Sequence, residues 1–122
     1  MTTILVTDNS PVNIQLARST LEPFGYKIVA AANVRDALAL ARESPPDLIL
    51  SDLHMPGQDG FDFIRAVKAD PVLKSIPFIF ISSTVWRDKD RTDGLDLGAA
   101  KFILRPIKPQ ALLMMIENCL KK

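Results

Sequence analysis

The chain has 122 residues, with 15 basic and 14 acidic side chains and a formal net charge of +1. That length suits one domain with its own core, and we take residues 1–122 as a single domain. The near-neutral charge gives no electrostatic reason to expect nucleic acid or an anionic membrane as a partner. No apolar run approaches the ~20 residues that cross a bilayer, and Cys119 is the single cysteine. These features predict a cytoplasmic protein.

Five short apolar runs alternate with five segments of helical periodicity. Ser10-Pro11 follows the first run and favours a helix start, because serine caps free amides and proline suits the first turn. Asn33 is predicted to cap the second helix in the same way. The predicted strands cover residues 3–6, 27–30, 48–50, 78–81 and 101–104.

The predicted helices carry apolar residues on one face, which we expect to pack inward. These residues are Ile14, Ala17, Leu21 and Phe24; Val34, Ala37, Leu38 and Ala41; Phe61, Phe63, Ile64 and Val67; and Ala111, Leu112, Met115, Ile116, Cys119 and Leu120. The fourth helical segment, residues 87–98, is dense in charge and contains Gly94. Because an internal glycine costs about 1 kcal/mol relative to alanine, we expect this helix to be exposed and mobile.

The alternation of strands and helices predicts an α/β fold with a parallel sheet covered by helices on both faces. Right-handed crossovers leave few strand orders, and for five strands the flavodoxin-like order 2-1-3-4-5 is the best choice. In this (βα)5 sandwich, ligands collect at the carboxyl ends of strands 1 and 3. Those strands end at Asp8 and Asp52.

Asp52 directly follows a buried strand and precedes Met55-Pro56-Gly57, which ends that strand. A single carboxylate there could serve only to cap the strand. The predicted sheet, however, brings Asp8 with Asn9, Asp52, Ser82 and Arg105 to one edge. Two carboxylates and loop carbonyls suit Mg²⁺, while a hydroxyl and a cation suit a tetrahedral oxyanion. Asp52 is therefore a candidate nucleophile, with Asp8 and Asn9 as metal ligands.

Over essentially its whole length, the chain resembles the receiver domains of response regulators in two-component signalling. The motifs that carry the resemblance are ILVTDN, DLILSDLHMPGQDG, FISS and FILRPIKP. The resemblance implies that a histidine kinase or phosphotransfer protein phosphorylates Asp52 with the help of Mg²⁺. It also implies that the backbone carbonyl of His54 is a metal ligand, that Ser82 contacts the phosphoryl group, and that Phe102 changes rotamer on activation.

The resemblance further implies a signalling switch rather than an enzyme, with at most self-catalysed phosphoryl transfer and autodephosphorylation. Phosphorylation would change the face made by helix 4, strand 5 and helix 5. We expect Lys101, Ile103 and Met114 on that face, which would contact an unknown downstream protein. A homodimer is a further option.

Two residues depart from the family pattern. Asn9 stands where a second acidic residue is usual, and Arg105 stands where lysine is usual. Asparagine keeps an oxygen ligand but loses a charge, so we expect Asn9→Asp to tighten Mg²⁺ binding about tenfold. We expect Arg105→Lys to leave metal affinity nearly unchanged and to favour phosphorylation. Both departures support an alternative, a pseudo-receiver that binds a partner protein without being phosphorylated.

Simpler roles exist for each of these residues. Asn9 could only turn the chain into the first helix, Ser82 could be a plain strand-end residue, and Arg105 could point to solvent or pair with Asp8 or Asp52.

Two other protein classes are disfavoured by single residues. A phosphatase of the haloacid dehalogenase type needs a carboxylate where this chain has His54. A flavodoxin-type flavin carrier needs a phosphate cradle where Asp8 would repel the phosphate.

Overall fold

A computed structural model describes residues 2–55, 57–82 and 88–121. Pro56 and residue 87, on which the predicted strand-ending turn and fourth-helix start depend, lie outside these ranges. The strands are β1 (Thr3–Thr7), β2 (Lys27–Ala31), β3 (Leu48–Ser51), β4 (Phe78–Ser82) and β5 (Lys101–Leu104). The α-helices are α1 (Pro11–Leu21), α2 (Val34–Glu43), α3 (Gly60–Ala69), α4 (Asp88–Asp96) and α5 (Pro109–Leu120). In these ranges no helix is long and apolar enough to cross a membrane.

The five strands form one parallel sheet in the order β2-β1-β3-β4-β5, which confirms the predicted fold. The register pairs Thr7 of β1 with Ser51 of β3, so that Asp8 and Asp52 follow at the same level of the sheet. The sheet therefore places both carboxylates at one edge, as the sequence predicts.

The core lies on both faces of the sheet, because successive strand residues point to opposite sides. Leu5 and Ile49 belong to the apolar cluster beneath α2 and α3, whereas Val6 and Leu50 belong to the cluster beneath α1 and α5. This alternation decides on which side of the sheet each residue at the strand ends lies.

Among the helix starts that the structure describes, three have side-chain caps. Ser10 accepts the Asn13 amide at α1, and Asn33 accepts the Asp36 amide at α2, as predicted. At α3, Asp59 forms a reciprocal capping box with Asp62. Such caps satisfy amides that have no partner within the helix.

Two expectations about burial are wrong. Phe24 is 63% exposed, because α1 ends at Leu21 and a 3-10 turn carries Phe24 away from the core. Ile103, which we expected on the signalling face, is buried beneath α5.

Most of the described residues of α4 are exposed, as expected, but Gly94 is buried. A Cβ at Gly94 would lie 3.1 Å from the Phe80 ring and 3.2 Å from the Phe102 ring, so glycine lets α4 approach these two aromatic residues closely.

Candidate functional site

Strand alternation brings three charged residues to the same side of the sheet edge. The strand residues that precede them are buried in the cluster beneath α1 and α5. Each charged residue follows one of these at a spacing of two: Asp8 after Val6, Asp52 after Leu50, and Arg105 after Ile103. Side chains two positions apart on a strand share a face. The local pattern therefore places two carboxylates and one guanidinium next to each other.

Asp8 is the most deeply buried of these groups, at 1% exposure. Its Oδ1 accepts the Ser10 amide at 2.8 Å, and its Oδ2 accepts the Arg105 Nη2 at 3.0 Å. The strands β3 and β4 lie between β1 and β5, so Arg105 reaches Asp8 across the ends of two strands. Of the simpler roles considered for Arg105, pairing with Asp8 is the one that the structure shows.

Asp52 is partly buried, and its Oδ1 accepts the Leu53 amide at 2.8 Å. Burial, followed by the nearby Asp8 carboxylate, raises the pKa of Asp52 above its usual value of 3.8. The amides of Leu53 and His54 and the Arg105 guanidinium lower the pKa of Asp52 and offset part of this rise. A more basic carboxylate is a better nucleophile once it is ionised.

Ser82 ends β4 at 1% exposure, and its carbonyl oxygen accepts the Arg105 amide at 2.8 Å. By alternation Ser82 shares the sheet face of Phe80, whose ring centroid lies 5.3 Å from that of Phe102. Phe102 is partly buried. The two predicted switch residues, Ser82 and Phe102, therefore lie on the same face of the sheet as Phe80.

Asn9 and His54 both have exposed side chains. Asn9 follows the buried Asp8 directly, so it lies at the rim of the site rather than within it. Neither position establishes a metal ligand, and both assignments remain predictions.

The donor types at this edge fit a hard divalent cation, since Asp8 and Asp52 offer carboxylate oxygens. Across the described ranges, no three His, Cys, Asp or Glu side chains are grouped as metal ligands. A metal here would therefore also need carbonyl or amide oxygens, which the positions of His54 and Asn9 could supply. It would also have to compete with the Arg105 guanidinium for Asp8.

Gly60 supports the loop after Asp52, although the sequence analysis did not single it out. Its amide donates to the Leu53 carbonyl at 2.7 Å, and a Cβ at this position would lie 2.7 Å from the Asp52 carbonyl oxygen. In the sequence, the only sign of this close approach between Gly60 and the Asp52 backbone is the Asp59-Gly60 pair before the third helix.

We expect Asp52→Asn to raise the free energy of unfolding at pH 7, because the neutral amide avoids the burial cost and the repulsion from Asp8 that disfavour the Asp52 carboxylate. Because the folded state raises the pKa of Asp52, the ionised group disfavours folding above its unfolded pKa. The difference in the free energy of unfolding between the variant and the wild type should therefore shrink as pH falls through the folded pKa of Asp52 towards 3.8.

Urea unfolding at a series of pH values tests this prediction, with Asp96→Asn as a control at an exposed carboxylate. A less stable Asp52→Asn variant at pH 7 would contradict it.

Comparisons with known proteins agree on one family. The family model described as "Response regulator receiver domain" matches residues 4–117. PilH of Pseudomonas aeruginosa is 33% identical over 98% of both chains. The response regulator PleD of Caulobacter vibrioides is 36% identical over 94% of this chain, which spans only 25% of PleD. The chemotaxis response regulator CheY4 of Vibrio cholerae is 30% identical with a TM-score of 0.90, covering 98% of both chains.

Proposed function

Because the chain belongs to the response-regulator receiver family, we propose that Asp52 accepts a phosphoryl group from a histidine kinase or a phosphotransfer protein. The observation that carries this proposal is the Asp52 carboxylate, partly buried at the end of β3 beside a second carboxylate and a guanidinium. In this proposal the protein is a cytoplasmic signalling switch, and its family is one of signalling domains rather than enzymes.

The chemistry is an in-line displacement at phosphorus. An Asp52 carboxylate oxygen attacks the phosphorus, the bond to the donor imidazole nitrogen breaks, and the imidazole keeps the electron pair. The Ser82 hydroxyl and the Arg105 guanidinium are suited to bind phosphoryl oxygens, because donors that match developing charge stabilise the transition state.

A bound Mg²⁺ would neutralise charge on the phosphoryl oxygens. Its ligands in this proposal are Asp8, Asn9, Asp52 and the His54 carbonyl. The Asp8 and Asp52 carboxylates also repel each other, which is one cause of the raised pKa of Asp52. A cation between them would remove that repulsion.

The surface next to the site suits an approaching phosphodonor protein. On α1, Val12 and Leu16 are 68% and 57% exposed. Leu16 lines a cavity of about 430 Å³ between α1 and the loop before α5, together with Arg105 and Ile107. Because the donor imidazole must reach Asp52, the donor protein has to cover this edge, and exposed apolar residues favour such contact.

The output face in this proposal is the surface of α4, β5 and α5. Leu104 and Met114 are 40% and 62% exposed there, whereas Ile103 is buried and takes no part. Phe102 lines a cavity of about 460 Å³ on this face, together with Lys101. A rotamer change of Phe102 would therefore alter the surface that a downstream protein contacts.

The Asp8–Arg105 ion pair favours a second candidate, the pseudo-receiver. If this pair holds the edge in one arrangement, the output face could bind a partner without phosphorylation. The two candidates differ in one measurable property, the chemical modification of Asp52.

Intact-mass spectrometry after incubation with acetyl phosphate and Mg²⁺ tests the proposal. We expect one phosphoryl group per chain, lost on treatment with alkali because an acyl phosphate hydrolyses readily. Asp52→Asn should abolish the modification, and Asp96→Asn should leave it unchanged. A phosphorylated species that persists in Asp52→Asn would contradict the proposal, and an unmodified wild-type protein would support the pseudo-receiver.

A further inference from the structure

The ion pair between Asp8 and Arg105 is buried at the candidate site. Asp8 is 1% exposed and the Arg105 side chain 16% exposed. Arg105 crosses the ends of two strands to make this contact, although Asp52 lies at the end of one of them. The guanidinium therefore takes as its partner the carboxylate on which a metal would depend.

Both oxygens of Asp8 accept hydrogen bonds. Oδ1 accepts the Ser10 amide at 2.8 Å, and Oδ2 accepts Arg105 at 3.0 Å. A divalent cation on Oδ2 would lie next to a positive group, which it would have to displace. Asp8, Asp52 and Arg105 together carry a formal charge of −1, so the guanidinium also removes half of the negative charge of the two carboxylates.

We propose that Arg105 is an internal cation that competes with a divalent cation for Asp8, so that the ion pair and metal binding exclude each other. This inference deepens the proposed function, on which it rests for the presence of a metal. It makes Arg105 a residue that sets metal affinity as well as a ligand for phosphoryl oxygens.

The competition gives metal binding a second consequence. A cation that takes the Asp8 carboxylate releases the guanidinium at the same edge, near Asp52. Arg105 would then become available for phosphoryl oxygens only after the metal has bound. Metal binding and phosphoryl binding would thus follow a fixed order.

Arginine is suited to this role because its side chain is long and ends in a planar fork that binds a carboxylate at a fixed angle. The lysine side chain is shorter, and all of its N–H donors are on one nitrogen. The ion pair therefore replaces our expectation that Arg105→Lys leaves metal affinity nearly unchanged. The opposite result is now expected, a tighter metal site in the lysine variant.

The test compares the Mn²⁺ affinity of wild type and Arg105→Met, with free Mn²⁺ counted by electron paramagnetic resonance. Mg²⁺ titration by calorimetry repeats the comparison with the proposed ion. Methionine keeps an unbranched side chain but removes the charge. We expect binding about tenfold tighter in the variant, because apparent affinity is reduced by the fraction of molecules in which Asp8 is unavailable.

Two controls make the result specific. Arg42→Met removes an arginine that pairs with Asp70 away from this edge, and it should leave metal affinity unchanged. In an Asp8→Asn background, Arg105→Met should tighten binding much less, because only the charge effect of Arg105 on Asp52 is then removed. Unchanged affinity in Arg105→Met, or tightening that is undiminished without Asp8, would overturn the proposal.

A measurement on the wild-type protein avoids reliance on any variant's folding. The Nε–Hε resonance of Arg105 in a ¹⁵N spectrum should shift as Mg²⁺ is added, with the same midpoint as the metal titration. A resonance that does not move while the metal binds would also overturn the proposal.

These measurements are independent of phosphorylation, so the two proposals can fail separately. If Arg105→Met binds the metal more tightly but Asp52 of the wild type is not phosphorylated, only the proposed phosphoacceptor function is refuted. Modification of Asp52 with metal affinity insensitive to Arg105 would refute only the internal competition.

Discussion

Replacing Phe80 with alanine is expected to lower the free energy of unfolding by about 3–5 kcal/mol. Phe80 is fully buried in β4. Its ring lies 5.7 Å from that of Phe61 in α3, 5.0 Å from Phe78 and 5.3 Å from Phe102 in β5. Truncation would remove these edge-to-face and tilted contacts and leave a cavity between the sheet and two helices. The loss is a large part of the ~5–15 kcal/mol that stabilises an ordinary domain.

Urea unfolding measures the effect, and Phe24→Ala is the matched control. Phe24 is the same residue type at 63% exposure, so its truncation should change stability by no more than about 0.5 kcal/mol. Phe80→Leu should lose less than Phe80→Ala, because it fills more of the cavity. Equal losses in Phe80→Ala and Phe24→Ala would show that the aromatic cluster does not stabilise the fold in this way.

Gly60→Ala should cost about 2–3 kcal/mol, because a methyl group at this position meets atoms that cannot move freely. A Cβ would lie 2.7 Å from both the Asp52 carbonyl oxygen and Phe80 Cε1, and 3.1 Å from Leu53 Cα. Two of these atoms belong to the backbone that carries the proposed phosphoacceptor. Relief of the clash would displace Asp52, so the variant should also be phosphorylated more slowly by acetyl phosphate.

Gly57→Ala separates this clash from the conformational role of glycine. Gly57 has a φ of +83° and open space around its Cβ, so alanine there costs only about 1 kcal/mol of backbone strain. Denaturant unfolding of both variants should rank Gly60→Ala as the more destabilised. If the two losses were equal, the close approach at Gly60 would not explain its cost.

Periodicity and end signals in the sequence were enough to predict the sheet. Each strand appears as a short apolar run, because a strand covered on both faces has no polar side. Each helix appears as a stripe that suits one buried face, and Ser10 and Asn33 begin helices by a local hydrogen bond. The handedness of the crossovers left few strand orders, and the flavodoxin-like order was the best choice among them.

The same rules placed Asp8, Asp52, Ser82 and Arg105 at one edge before any distance was known. Residues that directly follow parallel strands must meet there, whatever the rest of the chain does. The sequence therefore determined the set of groups at the candidate site, together with the departures Asn9 and Arg105 from the family pattern.

The tertiary structure alone decided how these groups pair and which neighbours approach closely. Arg105 contacts Asp8 because its side chain is long enough to cross the ends of the two strands that separate them. The distance between these two residues depends on the whole sheet and cannot be predicted from the local sequence around either one. Gly60 and Gly94 are needed because a backbone and two aromatic rings approach them from distant segments. Local sequence sets the conformation of a segment, whereas contacts between segments depend on where the whole fold places each side chain in three dimensions.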